Sequence, residues 1–168
     1  MRRWSLIVTA LAVVAASCGG SDDGVYRELL SSHFMSGNDL EGALVFTEVE
    51  ANCAAAAIVE AFGTAALSEM GYDPYTGEIP RPDSLGPPMS PADRGRWFAG
   101  IDGCIDLVDQ VGGLLQDAGL SANAAPCVAT AYRASGLLEE ALLGIPGDPE
   151  LSRRIEAALV QAMTDCGA

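Results

Sequence analysis

Three aspartates, Asp102, Asp106 and Asp109, follow one another at i, i+4 and i+7. On one continuous helix that spacing puts three carboxylates on a single face, where they could hold Ca²⁺ or meet an Arg/Lys-rich partner. The same spacing also produces the wet side of an amphipathic helix. Trp97, Ile101, Cys104, Val108, Val111 and Leu115 fall on the opposite side at a 3.6-residue period. Calcium takes about 6–8 oxygen ligands, usually from a loop that wraps the ion. The face is therefore read first as solvated, then as a partner-binding face, and only third as a metal site.

The other groups that could do chemistry are scarce. His33, in "SSHFM", is the lone histidine and is expected at a surface or edge rather than as a general base. A serine or cysteine nucleophile needs a neighbouring base, and the chain has neither a G-x-S-x-G elbow nor an S-x-x-K pair. A phosphate cradle usually pairs a Gly-rich loop with Lys. Gly112-Gly113 lies inside a helical pattern, and the chain has no Lys. No catalytic residue, cofactor or metal ligand is expected.

Cysteine is the residue type that carries most information. The chain has five: Cys18, Cys53, Cys104, Cys127 and Cys166. The last four are far apart, whereas zinc sites usually bring ligands in close pairs such as C-x₂-C. An even number in an exported chain reads as two disulfides.

Export is indicated by the first residues. Arg2 and Arg3 precede an uncharged run, WSLIVTALAVVAA, that ends in the small residues Ala15-Ala16-Ser17 before Cys18. This is the layout of a secretory signal peptide. The run from Trp4 to Ala16 is shorter than the roughly 20 residues a membrane-spanning helix needs.

Small residues closing on Cys18 resemble the lipobox of bacterial lipoproteins, with Ala15 standing where Leu is commonest. The resemblance implies that residues 1–17 are removed and that Cys18 becomes the first residue, its thiol joined to diacylglycerol. The chain would then be anchored to the cell membrane, outside the cytoplasm. The alternative is a plain secreted protein cut near Ala16 or Ser17. Residues 18–24, CGGSDDG, are expected to form a flexible tether, and residues 25–168 one all-helical domain.

Without residues 1–17 the chain keeps seven arginines against 23 acidic residues, a net charge of about −16. Such a surface repels phosphate backbones and anionic lipid headgroups, which makes nucleic acid a poor partner and leaves a cationic partner or metal ions compatible. Acidity that merely keeps an exported protein soluble is the plainer explanation.

Helix signals fill the remainder. Thr47-Glu48-Val49-Glu50 has the form of a capping box. Ser90-Pro91 and Asp148-Pro149 place proline at a first helical position. Tyr26, Leu29, Leu30 and Phe34 mark a short amphipathic helix before them. The spacing after Pro91 predicts one helix through Cys104 to Leu115. In it, and in the last helix, the cysteine is expected to face the core.

A repeat joins these elements. "ANCAAAAIVEAFGTAALSEMG" and "APCVATAYRASGLLEEALLG" each read as a helix, a break near Thr64 or Ser135, a short helix and a closing Gly71 or Gly144. A Pro-capped helix bearing the next Cys follows each. Two pseudo-repeated helical units in a compact bundle are expected. Of the three possible pairings, the repeat favours Cys53–Cys104 with Cys127–Cys166. Residues 72–89, with five prolines, form an irregular loop in which Tyr72, Tyr75, Ile79 and Arg81 could make a contact surface.

Phe46-Thr47, Glu50-Ala51 and Cys53, with Cys166 near the end, are similar to the "FT-x-x-E-A-x-C" pattern of small helical exported proteins of actinobacteria. That resemblance covers roughly residues 40–168 and implies the architecture but no activity. The expected role is a cell-envelope lipoprotein with a non-enzymatic binding or scaffolding domain. A carboxylate-dependent enzyme, or an acidic-face binder of Ca²⁺ or a cationic partner, is the alternative.

Overall fold

Thr47 begins the longest helix as its sequence predicts. Its hydroxyl accepts a bond from the Glu50 backbone N–H, and the Glu50 carboxylate accepts one back from the Thr47 N–H at 2.8 Å. In the computed structural model, which describes residues 22–37, 44–80, 87, 89–143 and 148–168, this is α2, Glu48–Glu69. Six further helices are described: α1 (Asp22–Ser36), α3 (Pro91–Asp102), α4 (Leu107–Asp117), α5 (Ala125–Ala134), α6 (Leu137–Leu143) and α7 (Pro149–Asp165). No strand occurs among the described residues, only an isolated bridge between Asp73 and Glu78. The all-α class follows directly. The leader, Cys18, Arg81 and Gly144 lie outside the described residues.

Helix α1 begins earlier than the tether reading allows. Asp22–Gly24 form its first turn rather than a linker, and Asp22 and Asp23 sit where carboxylates suit the positive end of a helix. Tyr26, Leu30 and Phe34 bury against the rest of the domain. His33 joins them, 7% exposed, which corrects its expected place at a surface or edge. It follows Tyr26 by seven residues and Leu30 by three, the spacing of one helix face.

Four glutamates and a break show why α2, long and apolar enough by length and composition to cross a membrane, serves here as a packing helix. Glu48, Glu50, Glu60 and Glu69 punctuate it. Gly63 leaves helical geometry at φ 72°, ψ 160°, a conformation open to glycine. Ala51, Ala54, Ala55, Ile58 and Val59 are buried, and the helix packs against both α1 and α3. Gly100 permits that closeness, since a Cβ there would lie 3.1 Å from Ile58 Cγ1.

At the centre lies an aromatic group. Trp97 is fully buried, with Phe62 and Tyr72 ring centroids each 5.7 Å away. Phe34 stacks on Phe46 at 5.1 Å. Leu44 and Phe46 point inward from an extended segment while Val45 points out. The Gln110 side-chain amide secures that segment, accepting from Val45 N–H and donating to Val45 C=O at 2.7 Å.

The disulfides are Cys53–Cys104 and Cys127–Cys166, the favoured pairing. The repeat is present element by element. In each half a cysteine lies near the start of a helix (α2, α5), and the chain then turns at a positive-φ glycine, Gly63 or Gly136. A short helical stretch leads to a Pro-initiated helix (α3, α7), and the partner cysteine stands just past its end. The halves are not separate bodies, because α4 packs on α5 and α3 on α6 around a shared core.

Candidate functional site

The three aspartates do not share a helix face, because the single helix expected after Pro91 is two helices. Gly103 caps α3, and Asp106 begins α4 by accepting bonds from the backbone N–H groups of Val108 (3.1 Å) and Asp109 (3.0 Å). An aspartate that bonds the local backbone in this way favours a helix start over a helix interior. Asp102 is left at the end of α3, where its Oδ2 pairs with Arg133 of α5 at 2.7 Å. Asp109 sits in the first turn of α4. The expected face Asp102–Asp106–Asp109 is therefore replaced by an interhelical ion pair, an N-cap and a first-turn charge. Among the described residues, no three His, Cys, Asp or Glu side chains gather as a metal site.

Other carboxylates are likewise tied to the frame. Glu140 of α6 accepts two bonds from the Arg154 guanidinium of α7, at 2.8 and 3.0 Å. Asp148 caps α7 through the N–H groups of Glu150 and Leu151. Asp93 bonds Ser90 and Arg96 at the start of α3. Arg96 also donates to the Ala61 carbonyl at 3.2 Å and lies 4.4 Å over the Phe62 ring, so it covers the α2 break at Gly63.

These contacts set the direction of titration. The Thr47 backbone and hydroxyl hold the Glu50 carboxyl below its usual range. Ser90 and Arg96 do the same for Asp93, and the Tyr75 N–H does so for Asp73. A carboxyl whose folded pKa is depressed contributes stability above its unfolded pKa and loses it as pH falls through the folded value. The melting temperature should therefore be level above pH ~5 and fall as acid reaches the carboxylate range of ~4. Glu50→Gln should flatten part of that fall; an unchanged acid limb would contradict the role of the box.

Of the two cysteines expected to face the core, Cys104 packs against it. Cys53 and Cys127 are exposed, and Cys104 and Cys166 half-buried. Each bridge clips helix ends together from outside, and the hydrophobic stripe belongs to neighbours such as Ile58, Ile105 and Val128. Stepping along the chain at 100° per residue put Cys104 inside a helix, whereas it stands just past the end of α3.

The proposed contact surface of the loop 72–89 divides among its described residues. Tyr72 is buried on Trp97, and Tyr75 is 76% exposed. Tyr26 donates from its hydroxyl to the Tyr72 carbonyl at 3.3 Å. The Tyr72 hydroxyl itself is buried with no hydrogen-bond partner among the described residues, and burial pushes its phenol pKa up. Replacing Tyr72 by Phe should raise stability by about 1 kcal/mol, since an unpartnered buried hydroxyl opposes folding. Thermal melts check this, and a drop in melting temperature would place a partner on that hydroxyl.

One open groove of about 400 Å³ lies along α1, lined by Arg27, Glu28, Ser31, Ser32 and Met35 and closed on one side by Asn52 of α2. It is shallow and open to solvent, unlike the enclosing pockets of small-molecule sites. No protein-family model, curated protein or solved structure matches the chain.

Proposed function

We propose that the chain is a lipid-anchored protein displayed outside the cytoplasmic membrane. Cys18 carries diacylglycerol, and the helical domain acts as a non-enzymatic binding or scaffolding module. Its partner is a cell-envelope protein or another cationic surface, which a net charge of about −16 after leader removal would attract.

The observation that carries the non-enzymatic reading is where the carboxylates are used. Asp102, Asp106, Asp148, Glu50, Asp93 and Glu140 are each engaged in a cap or an ion pair. Those that shift, Glu50, Asp73 and Asp93, shift downward. A general acid at neutral pH needs the opposite direction. The two disulfides are consistent with an oxidising, extracytoplasmic compartment. Residues 15–18 supply the attachment signal, and two acyl chains hold a protein far better than one.

Fractionation of the native host tests the anchor. The protein should pellet with membranes and stay there in high salt, and Cys18→Ser should move it to the soluble fraction. Wild-type protein recovered in the soluble fraction would overturn the proposal.

A further inference from the structure

A lipid on Cys18 would be joined to a helix almost at once. Only Gly19, Gly20 and Ser21 separate Cys18 from Asp22, the first residue of α1. Whatever path these residues take, four Cα–Cα steps reach no further than about 15 Å. The start of α1 must then stay within that reach of the headgroups.

A second element is fastened to the same end. The Tyr75 hydroxyl donates to Asp22 Oδ1 at 2.9 Å, across 53 positions of sequence. Tyr75 stands at the tip of a turn that its own bonds hold. The Asp73 carboxylate accepts from the N–H groups of Tyr75 (2.8 Å) and Thr76 (3.3 Å). The backbones of Asp73 and Glu78 exchange two hydrogen bonds of 2.9 and 3.0 Å, with Gly77 at φ 74°. A large aromatic side chain is thus presented 76% exposed, fixed in place, beside the anchored end. A tyrosine ring with a polar tip suits the membrane–water boundary.

We infer that the N-terminal end of α1 and the Asp73–Glu78 turn form the face lying against the membrane, with Tyr75 in the headgroup layer. This rests on the lipoprotein reading of Cys18. Asp22, Asp23, Asp73 and Glu78 stand at the same end. Their charge holds contact to the polar layer and opposes insertion among acyl chains. Helix α7 packs on α5 and α6, whereas α1 packs on α2, so the exposed Val160 of α7 serves as the reference position outside this face.

The test uses mature protein purified from the host membrane, its lipid verified by intact mass, in phosphatidylcholine vesicles bearing a headgroup nitroxide. Beyond the leader, the chain's own tryptophan is the buried Trp97. Thr76→Trp, beside Tyr75 in the same turn and exposed, and Val160→Trp therefore each add one exposed reporter while leaving the Tyr75–Asp22 bond in place. The indole introduced at position 76 should lose much of its fluorescence, and the one at position 160 little. A Gly/Ser insertion of about 20 residues between Ser21 and Asp22 adds a coil of about 25 Å and should abolish the difference. Equal quenching at the two positions in lipidated protein would overturn the inference alone. A difference that survives the insertion would overturn the tether as its cause. Absence of lipid in the intact mass would overturn both the lipoprotein reading and the inference.

Discussion

Removing the Cys53–Cys104 bridge by a double alanine substitution should lower the stability of the whole domain, and removing Cys127–Cys166 should first release α7. In the chain-entropy model, bridges closing loops of 51 and 39 residues each contribute about 4 kcal/mol. For a domain of this size that is a drop of roughly 8–16 °C in melting temperature. The two losses differ in place because the helices they hold differ in burial. The first bridge joins α2 to the end of α3, whose buried positions include Ile58, Trp97 and Ile101 at the centre of the core. Those contacts persist without the bridge, so unfolding remains global and simply becomes easier. Helix α7 has Ala162 as its buried residue, with Ile155, Ala158 and Leu159 half-buried, and the Arg154–Glu140 pair on α6. An exposed pair of that kind is worth little. Hydrogen exchange on Cys127→Ala/Cys166→Ala protein should show α7 amides losing protection while those of α2 and α3 keep theirs. Uniform loss of protection in both variants would contradict this division.

Trp97→Ala should be the most damaging single substitution in the core. The indole is fully buried between Phe62 and Tyr72, with α2 on one side and the start of the 72–80 segment on the other. Truncating a buried Trp to Ala costs about 3–5 kcal/mol, partly for lost transfer energy and partly for the cavity left behind. Whole small domains are stable by about 5–15 kcal/mol, so this variant sits near the limit of folding. Trp97→Phe retains most of the contact area and should lose less than half as much. Urea denaturation followed by far-ultraviolet circular dichroism measures both. A loss for Trp97→Ala of under about 1 kcal/mol, the scale of ordinary surface changes, would show that the aromatic group is not the centre of the fold.

Much of the architecture is legible in short local signals. The Thr47–Glu50 box, Ser90-Pro91 and Asp148-Pro149 each fix a helix start within a few residues, and each is found where its residues place it. The disulfide pairing follows from the repeat, because each cysteine keeps the same station relative to a helix end. Features that depend on competition between local and regular structure are harder to read. Gly103 and Asp106 look compatible with a continuing helix when only the apolar period is counted. A glycine followed three residues later by an aspartate is also an end and a new start, and the Asp106 bonds to Val108 and Asp109 decide the matter. That one break dissolves the aspartate face and leaves Cys104 between two helices, half-buried against the core. Tyr72 is misread for a different reason: it is buried by packing between segments far apart in sequence, and no local period reports that. His33 shares the face of Tyr26 and Leu30, so its burial is legible in the helical period once that face is known to be the inner one.

The most direct measurement of the central claim is the mass of the N-terminal peptide from the host's membrane fraction. The account predicts a peptide that begins at Cys18, continues Gly19-Gly20-Ser21, and carries diacylglycerol on the thiol. An unmodified peptide beginning at or near Cys18 would contradict it, and the protein would then be a free secreted domain with an unpaired thiol at its start.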